Sequence, residues 1–236
     1  MIEKYKFLIP NAFTAFSLTS GLIALHLIYE GNFVIASWLI ALAMVFDGLD
    51  GKLARLLKAC TKFGAMFDTL SDYVTFGVVP AFLAYKVALH QFGVFGIIFS
   101  IFYVFAGGYR LVRFTLDNKN PGIKKPFTGL PIPAAAGLIV SFVIYNFYIW
   151  DKIQFPHFFL IIVFLASVLM VSRIEYLPID KKAKLSKEAK FFIIMAILSI
   201  IISIKFSYIV FVIWILIYIL YGIIRQIVLY KKNISK

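Results

Sequence analysis

Residues 33–72 read FVIASWLIALAMVFDGLDGKLARLLKACTKFGAMFDTLSD, and the order of apolar and charged residues in this stretch decides the fold. It opens with fourteen residues, Phe33 to Phe46, that carry no charge, and the apolar character persists to about Leu57. At 1.5 Å per residue such a run is long enough to cross a hydrocarbon core of about 30 Å as a helix. A short basic turn, Lys58 to Lys62, then returns the chain into a second apolar run. Two spans joined by a short turn are antiparallel neighbours, and the carboxylates near the turn, Asp47, Asp50, Asp68 and Asp72, fall on facing helix surfaces. Asp47 and Asp50 are three apart and Asp68 and Asp72 four apart, so each pair shares one side of its helix.

Outward from this hairpin the same pattern repeats. The 236 residues are 62% hydrophobic and 15% charged, outside the range of water-soluble domains. Apolar runs predict eight spans, near 10–29, 33–57, 65–88, 93–116, 130–149, 156–173, 190–204 and 207–229. The first is too long for a cleaved leader and lacks a small-residue cleavage site, so it reads as a retained span. All of the 24 Lys and Arg residues except Lys86, Lys152 and Lys205 fall on one set of alternate loops. That asymmetry predicts an even number of spans with both termini and all the basic loops in the cytoplasm. The expected fold class is all-α, a polytopic membrane helical bundle of about eight transmembrane helices.

The net charge of +13 does not point to nucleic acid, because the basic residues sit at the ends of apolar runs and form no face interleaved with aromatics. Cys60 is the only cysteine, which excludes an intrachain disulfide, and His26, His90 and His157 are too far apart to make a zinc motif.

An Asp in the middle of a membrane helix costs roughly 2.5 to 3.5 kcal/mol on insertion scales, and four together also repel one another. Arg55 could offset one of them, whereas two divalent cations would offset all four. A donor set of oxygens alone selects a hard ion, Mg²⁺ or Mn²⁺. Gly51, Ala54 and Gly64 are small where the two helices approach, which suits either close packing or a phosphate-bearing ligand.

From Asp47 to Asp72 the chain also resembles the CDP-alcohol phosphotransferases. Their signature runs Asp, two residues, Asp-Gly, two residues, Ala-Arg, eight residues, Gly, three residues, Asp, three residues, Asp, and every fixed position is matched. The resemblance implies that Asp47, Asp50 and Asp68 hold metal with the CDP diphosphate. It implies that Asp72 completes the metal site and is the general base. It further implies that Gly51, Ala54, Arg55 and Gly64, with Asn11 and Thr14 at the start of the first span, bind the CDP-lipid. An ordinary helix start capped by Asn11 is the alternative for that last element.

Gly108-Tyr-Arg110-Leu-Val-Arg113-Phe114 and Phe127-Thr-Gly129-Leu-Pro131-Ile-Pro133-Ala-Ala135 are similar to segments written GYRLARFN and FxGLPxPAA in the serine O-phosphatidyltransferases of that family. Val112 stands where Ala is usual and Thr115 where Asn is usual. Arg110 and Arg113, one turn apart, are the expected acceptor-binding residues, since a guanidinium fork suits a serine carboxylate, although both could simply snorkel at a helix end.

The activity so implied is transfer of a phosphatidyl or archaetidyl group from CDP-diacylglycerol or CDP-archaeol to L-serine. The enzyme would be a multi-pass homodimer in the cell membrane, its site facing the cytoplasm among membrane lipids. The alternatives are a sister enzyme acting on glycerol 3-phosphate or an inositol phosphate and, from another class, an ion transporter or channel. The whole chain, 1–236, reads as one membrane domain. Residues 8–173 form a catalytic six-helix core, 174–189 a connector and 190–229 two further spans.

Overall fold

The computed structural model describes residues 6–117, 127–176, 209 and 211–224. Helix α1 covers Leu8–Tyr29 and α2 Phe33–Leu56, joined at Gly31, whose φ of +85° makes the tight reversal that a side chain would disfavour. Their 22 and 24 residues extend about 33 and 36 Å, enough to span a bilayer core. Small residues make the seam between them. Ser17, Ser20 and Ala24 are buried on α1, with Ala36, Ser37 and Ala43 on α2. The Ser17 hydroxyl donates to the Ala43 carbonyl across the seam at 3.2 Å. In lipid, where apolar contact alone gives little preference for helix over solvent, such close backbone approach supplies the packing.

The third helical run extends from Lys62 to Val87 in three pieces: α3, Lys62–Asp72; a π-helical turn, Tyr73–Val78; and α4, Val79–Val87. The expected single helix at 65–88 is thus widened in its middle. Pro80 contributes no N–H to the helical ladder, so the turn before it is short of a donor. The fully buried Tyr103 of α5 (Val94–Asp117) donates its hydroxyl to the Phe76 carbonyl at 3.1 Å and makes up that deficit. Because the wide turn begins directly after Asp72, it sets how the face bearing Asp68 and Asp72 is rotated relative to α4.

Helix α6 (Ile132–Trp150) is the centre of the bundle. Of its most apolar stretch 56% is buried, against 28–33% for α1, α2 and α5, which turn most of their apolar side chains outward. Helix α7 (Pro156–Val171) packs on α5 and α6. A backbone ladder pairs β1 (Phe127–Thr128) with β2 (Glu175–Tyr176), and Leu130 N–H bonds the Leu169 carbonyl at 2.9 Å, so the link from α5 to α6 is tied to the end of α7. Apart from that short ladder, the regular secondary structure among the described residues is helical.

Four described helices are long and apolar enough to cross a membrane, and α7 and the helix Phe211–Ile224 are shorter apolar helices. With exposed Leu42, Val45, Phe95 and Phe105 on its outer surface, this is a multi-pass membrane protein. The expected span at 190–204 and most of the expected connector lie outside the described residues.

Candidate active site

The hairpin of α2 and α3 holds the carboxylates about 14 Å in from the end of α2 at Leu56, counted along the helix from Asp47. Carboxylate oxygens of Asp47, Asp50 and Asp68 all lie within 4.8 Å of one another. Asp50 is buried and the other two half-buried. At that spacing two like charges repel by roughly 3 to 4 kcal/mol even at an effective dielectric of about 20. Asp72, one turn beyond Asp68, lies within hydrogen-bonding reach of Asp47. The structure therefore gathers the four aspartates across two helices, three in one cluster and the fourth against Asp47.

This donor set fits a divalent cation. Oxygens around an ion held at about 2.1 Å sit up to about 4.2 Å apart, close to the observed spacing, and no nitrogen or sulfur competes in the cluster.

Helix α1 closes one side. The buried Thr14 hydroxyl lies 2.6 Å from Asp50 Oδ2, to which it donates, and 3.2 Å from the Pro10 carbonyl. Ser71, next to Asp72, donates to the Thr14 carbonyl at 3.3 Å, so α1 is bonded to both carboxylate-bearing helices. Because α1 begins at Leu8 with Phe7 at its cap, Asn11 lies inside the helix and is not its N-cap. Its side chain points across to α3: a Cβ placed on Gly64 would come within 2.8 Å of Asn11 Oδ1 and 3.1 Å of Thr61 Oγ1. Gly64 is glycine because Asn11 and the cap of α3 occupy that space.

Between α1, α2 and the start of α3 opens a cleft of about 170 Å³. Asn11, Thr14, Gly51, Ala54, Arg55 and Gly64, six residues singled out from the sequence, all line it, together with Asp50 and Asp68. Ala59, Cys60, Thr61 and Ala65 line it too and were not foreseen. Thr61 had a readable signal, a threonine just before a helical run; it is the N-cap of α3, accepting from Gly64 N–H at 3.0 Å.

The two arginines of α5 go to different places. Arg110 is 8% exposed, with the Phe114 ring 5.1 Å from its guanidinium carbon, Asp72 and Asp47 within electrostatic reach, and its Nε without a hydrogen-bond partner. Arg113 does not extend to that space. Its Nη1 donates to the Val171 carbonyl at 3.0 Å, and its Nη2 meets the carbonyls of Thr128 at 2.6 Å, Met170 at 3.1 Å and Ser172 at 3.1 Å. It caps the end of α7 and ties it to the link before α6. Gly129, at φ +82°, leaves the room, since a Cβ there would overlap both Arg113 Nη2 and the Met170 carbonyl. The turn that leads into α6 is thus also an Arg113 docking site.

A family model described as CDP-alcohol phosphatidyltransferase matches residues 7–172, a range that contains every one of these side chains. The chain belongs to that family. Among members of the CDP-alcohol phosphatidyltransferase family, it is 38% identical to the CDP-diacylglycerol–serine O-phosphatidyltransferase of Helicobacter pylori (strain ATCC 700392 / 26695), over 97% of this chain and 94% of that one. It is 38% identical to the archaetidylserine synthase of Methanothermobacter thermautotrophicus, over 73% of this chain and 70% of that one. It is 35% identical to the CDP-diacylglycerol–serine O-phosphatidyltransferase of Bacillus subtilis (strain 168), over 64% and 90%. The resemblance read from Asp47 to Asp72 is borne out. Members of this family generally depend on a divalent metal, and the aspartate cluster fits one.

Proposed function

We propose that the protein transfers a phosphatidyl or archaetidyl group from CDP-diacylglycerol or CDP-archaeol to the hydroxyl of L-serine and releases CMP. The observation that carries this reading is the convergence of the aspartate cluster, the cleft beside it and the buried, partly unsatisfied Arg110 guanidinium at one end of the bundle. Relatives named for diacylglycerol and for archaetidyl lipids both have serine in their names, which supports the acceptor and leaves the lipid chains open.

In this mechanism Asp47, Asp50, Asp68 and Asp72 would hold two divalent ions, Mg²⁺ or Mn²⁺. When bound, these supply positive charge to the diphosphate and to the departing CMP. Asn11, Thr14, Gly51, Ala54, Arg55 and Gly64 bind the CDP end of the lipid in the cleft. Thr14, by its bond to Asp50, keeps that carboxylate turned toward the cluster. Arg110 pairs with the serine carboxylate and brings the hydroxyl toward Asp72, which accepts its proton. The serine oxygen bonds to the lipid-side phosphorus as the bond from that phosphorus to the bridging oxygen breaks. The electron pair leaves with CMP, and no covalent enzyme intermediate is needed. Arg113 acts at a distance, fixing the ends of α5 and α7 so that Arg110 keeps its direction.

The basic loops support an eight-span topology with cytoplasmic termini and a cytoplasm-facing site in the cell membrane. Residues 8–173 are the catalytic core, 174–189 a connector and 190–229 further spans, and the enzyme works as a homodimer.

The test is CMP release by the purified protein with a CDP-lipid and Mg²⁺ or Mn²⁺, comparing L-serine, glycerol 3-phosphate and inositol phosphate. Release with serine alone is expected. Release with another alcohol alone would overturn the acceptor, and metal or proton flux in vesicles without CMP release would overturn the reaction.

A further inference from the structure

The helix Phe211–Ile224 lies beyond the family domain, which ends at residue 172, and its sequence carries no recognisable site motif. Its packing nevertheless brings it to the reaction. Phe211 stacks on Trp38 near the start of α2, with ring centroids 6.1 Å apart. One turn on, Ile215 fills the space over Gly137 of α6, where the end of the Met44 side chain also arrives. The helix thus runs alongside α2 in the same direction, and three residues further brings Tyr218 to the depth of Asp47. There its phenol lies within electrostatic reach of Arg110, and its ring packs against the core.

Arg110 has a problem that this neighbour solves. A buried guanidinium with Asp72 and Asp47 in reach is drawn toward them, and full pairing would occupy the fork needed for an incoming carboxylate while tying up the base. The Phe114 ring covers one face without directing the N–H groups. A neutral phenol oxygen can accept an N–H and hold the fork without cancelling its charge.

Resting on the serine-transfer reading, the geometry points to Tyr218 as a positioning residue for the acceptor, its hydroxyl holding the Arg110 guanidinium toward the space the acceptor carboxylate enters. The helix Phe211–Ile224 is therefore a wall of the acceptor site, and its contribution exceeds packing.

The experiment is steady-state CMP release by the full-length protein carrying Tyr218→Phe, which keeps the ring. Tyr221→Phe, on an outward position of the same helix, is the control. Loss of one hydrogen bond to a charged group predicts about a tenfold rise in the KM for L-serine. The KM for the CDP-lipid, the metal requirement and the unfolding temperature stay at wild-type values, and the control matches wild type throughout. An unchanged serine KM, an equal rise in both KM values, or a lowered unfolding temperature that accounts for the loss would overturn the proposal. If the wild type uses a different alcohol, the serine reading falls by itself, and Tyr218 is then judged on the KM of that alcohol. If the wild type releases no CMP with any alcohol, both fall.

Discussion

Replacing Arg113 with Ala separates the two arginines that sequence alone treats alike. Its guanidinium meets four backbone carbonyls, and the two shortest contacts are those to Thr128 at 2.6 Å and Val171 at 3.0 Å. Counting only those two, at about 1.5 kcal/mol for each bond from a charged donor, the variant loses about 3 kcal/mol. For a chain of this size each kcal/mol moves the midpoint by about 2 to 4 °C, so unfolding should come about 6 to 12 °C earlier. The assay is thermal unfolding in detergent followed by tryptophan fluorescence, paired with the serine KM measured well below the transition. Arg113→Lys should recover less than half of the shift, because an ammonium cannot span carbonyls that a planar fork reaches together. Arg110→Ala should do the reverse, raising the serine KM with little change in the midpoint. An Arg113→Ala protein that unfolds at the wild-type temperature but binds serine poorly would refute the division of roles.

Asp72→Asn should lower kcat by about 10²- to 10⁴-fold, the usual range for a lost general base, while CDP-lipid still protects Cys60 at the cleft from thiol reagents. Unchanged kcat would remove Asp72 from proton transfer. Gly64→Ala puts a Cβ 2.8 Å from Asn11 Oδ1, an overpacking of about 1 to 3 kcal/mol. Its expected signature is a higher KM for CDP-lipid with the serine KM intact, and kinetics identical to wild type would show that Asn11 moves aside freely. Tyr103→Phe leaves the buried Phe76 carbonyl short of its donor and should destabilise the protein by about 1 to 3 kcal/mol in denaturation. Pro80→Ala in the same protein restores a backbone N–H and should return part of that loss; no recovery would mean that the proline does not create the need for Tyr103.

Much of the site is legible in the sequence. Intramembrane aspartates are costly enough to demand a function, and helical periodicity puts Asp47 with Asp50 and Asp68 with Asp72 on shared faces. A short turn between apolar runs then forces those faces together. The same logic set the membrane class, while the family resemblance is what implied that Asn11, Thr14 and Gly64 share one binding site. What periodicity could not read is which partner a side chain meets across the bundle. Arg110 and Arg113 are one turn apart on one helix, yet one is buried beside Asp72 and the other reaches carbonyls 57 to 59 residues away.

The π turn after Asp72 was also invisible, because it arises from Pro80 and a hydroxyl supplied by a different helix. Tyr218 carries no motif and gains meaning only from the stacking of Phe211 on Trp38 and the seating of Ile215 over Gly137. By itself, then, the sequence determined the membrane bundle and the chemistry of its carboxylates, since both follow from transfer energies and spacing along a helix. Only the tertiary structure decided which arginine faces the site and what stands behind it, since those depend on rotation and register between helices distant in the chain.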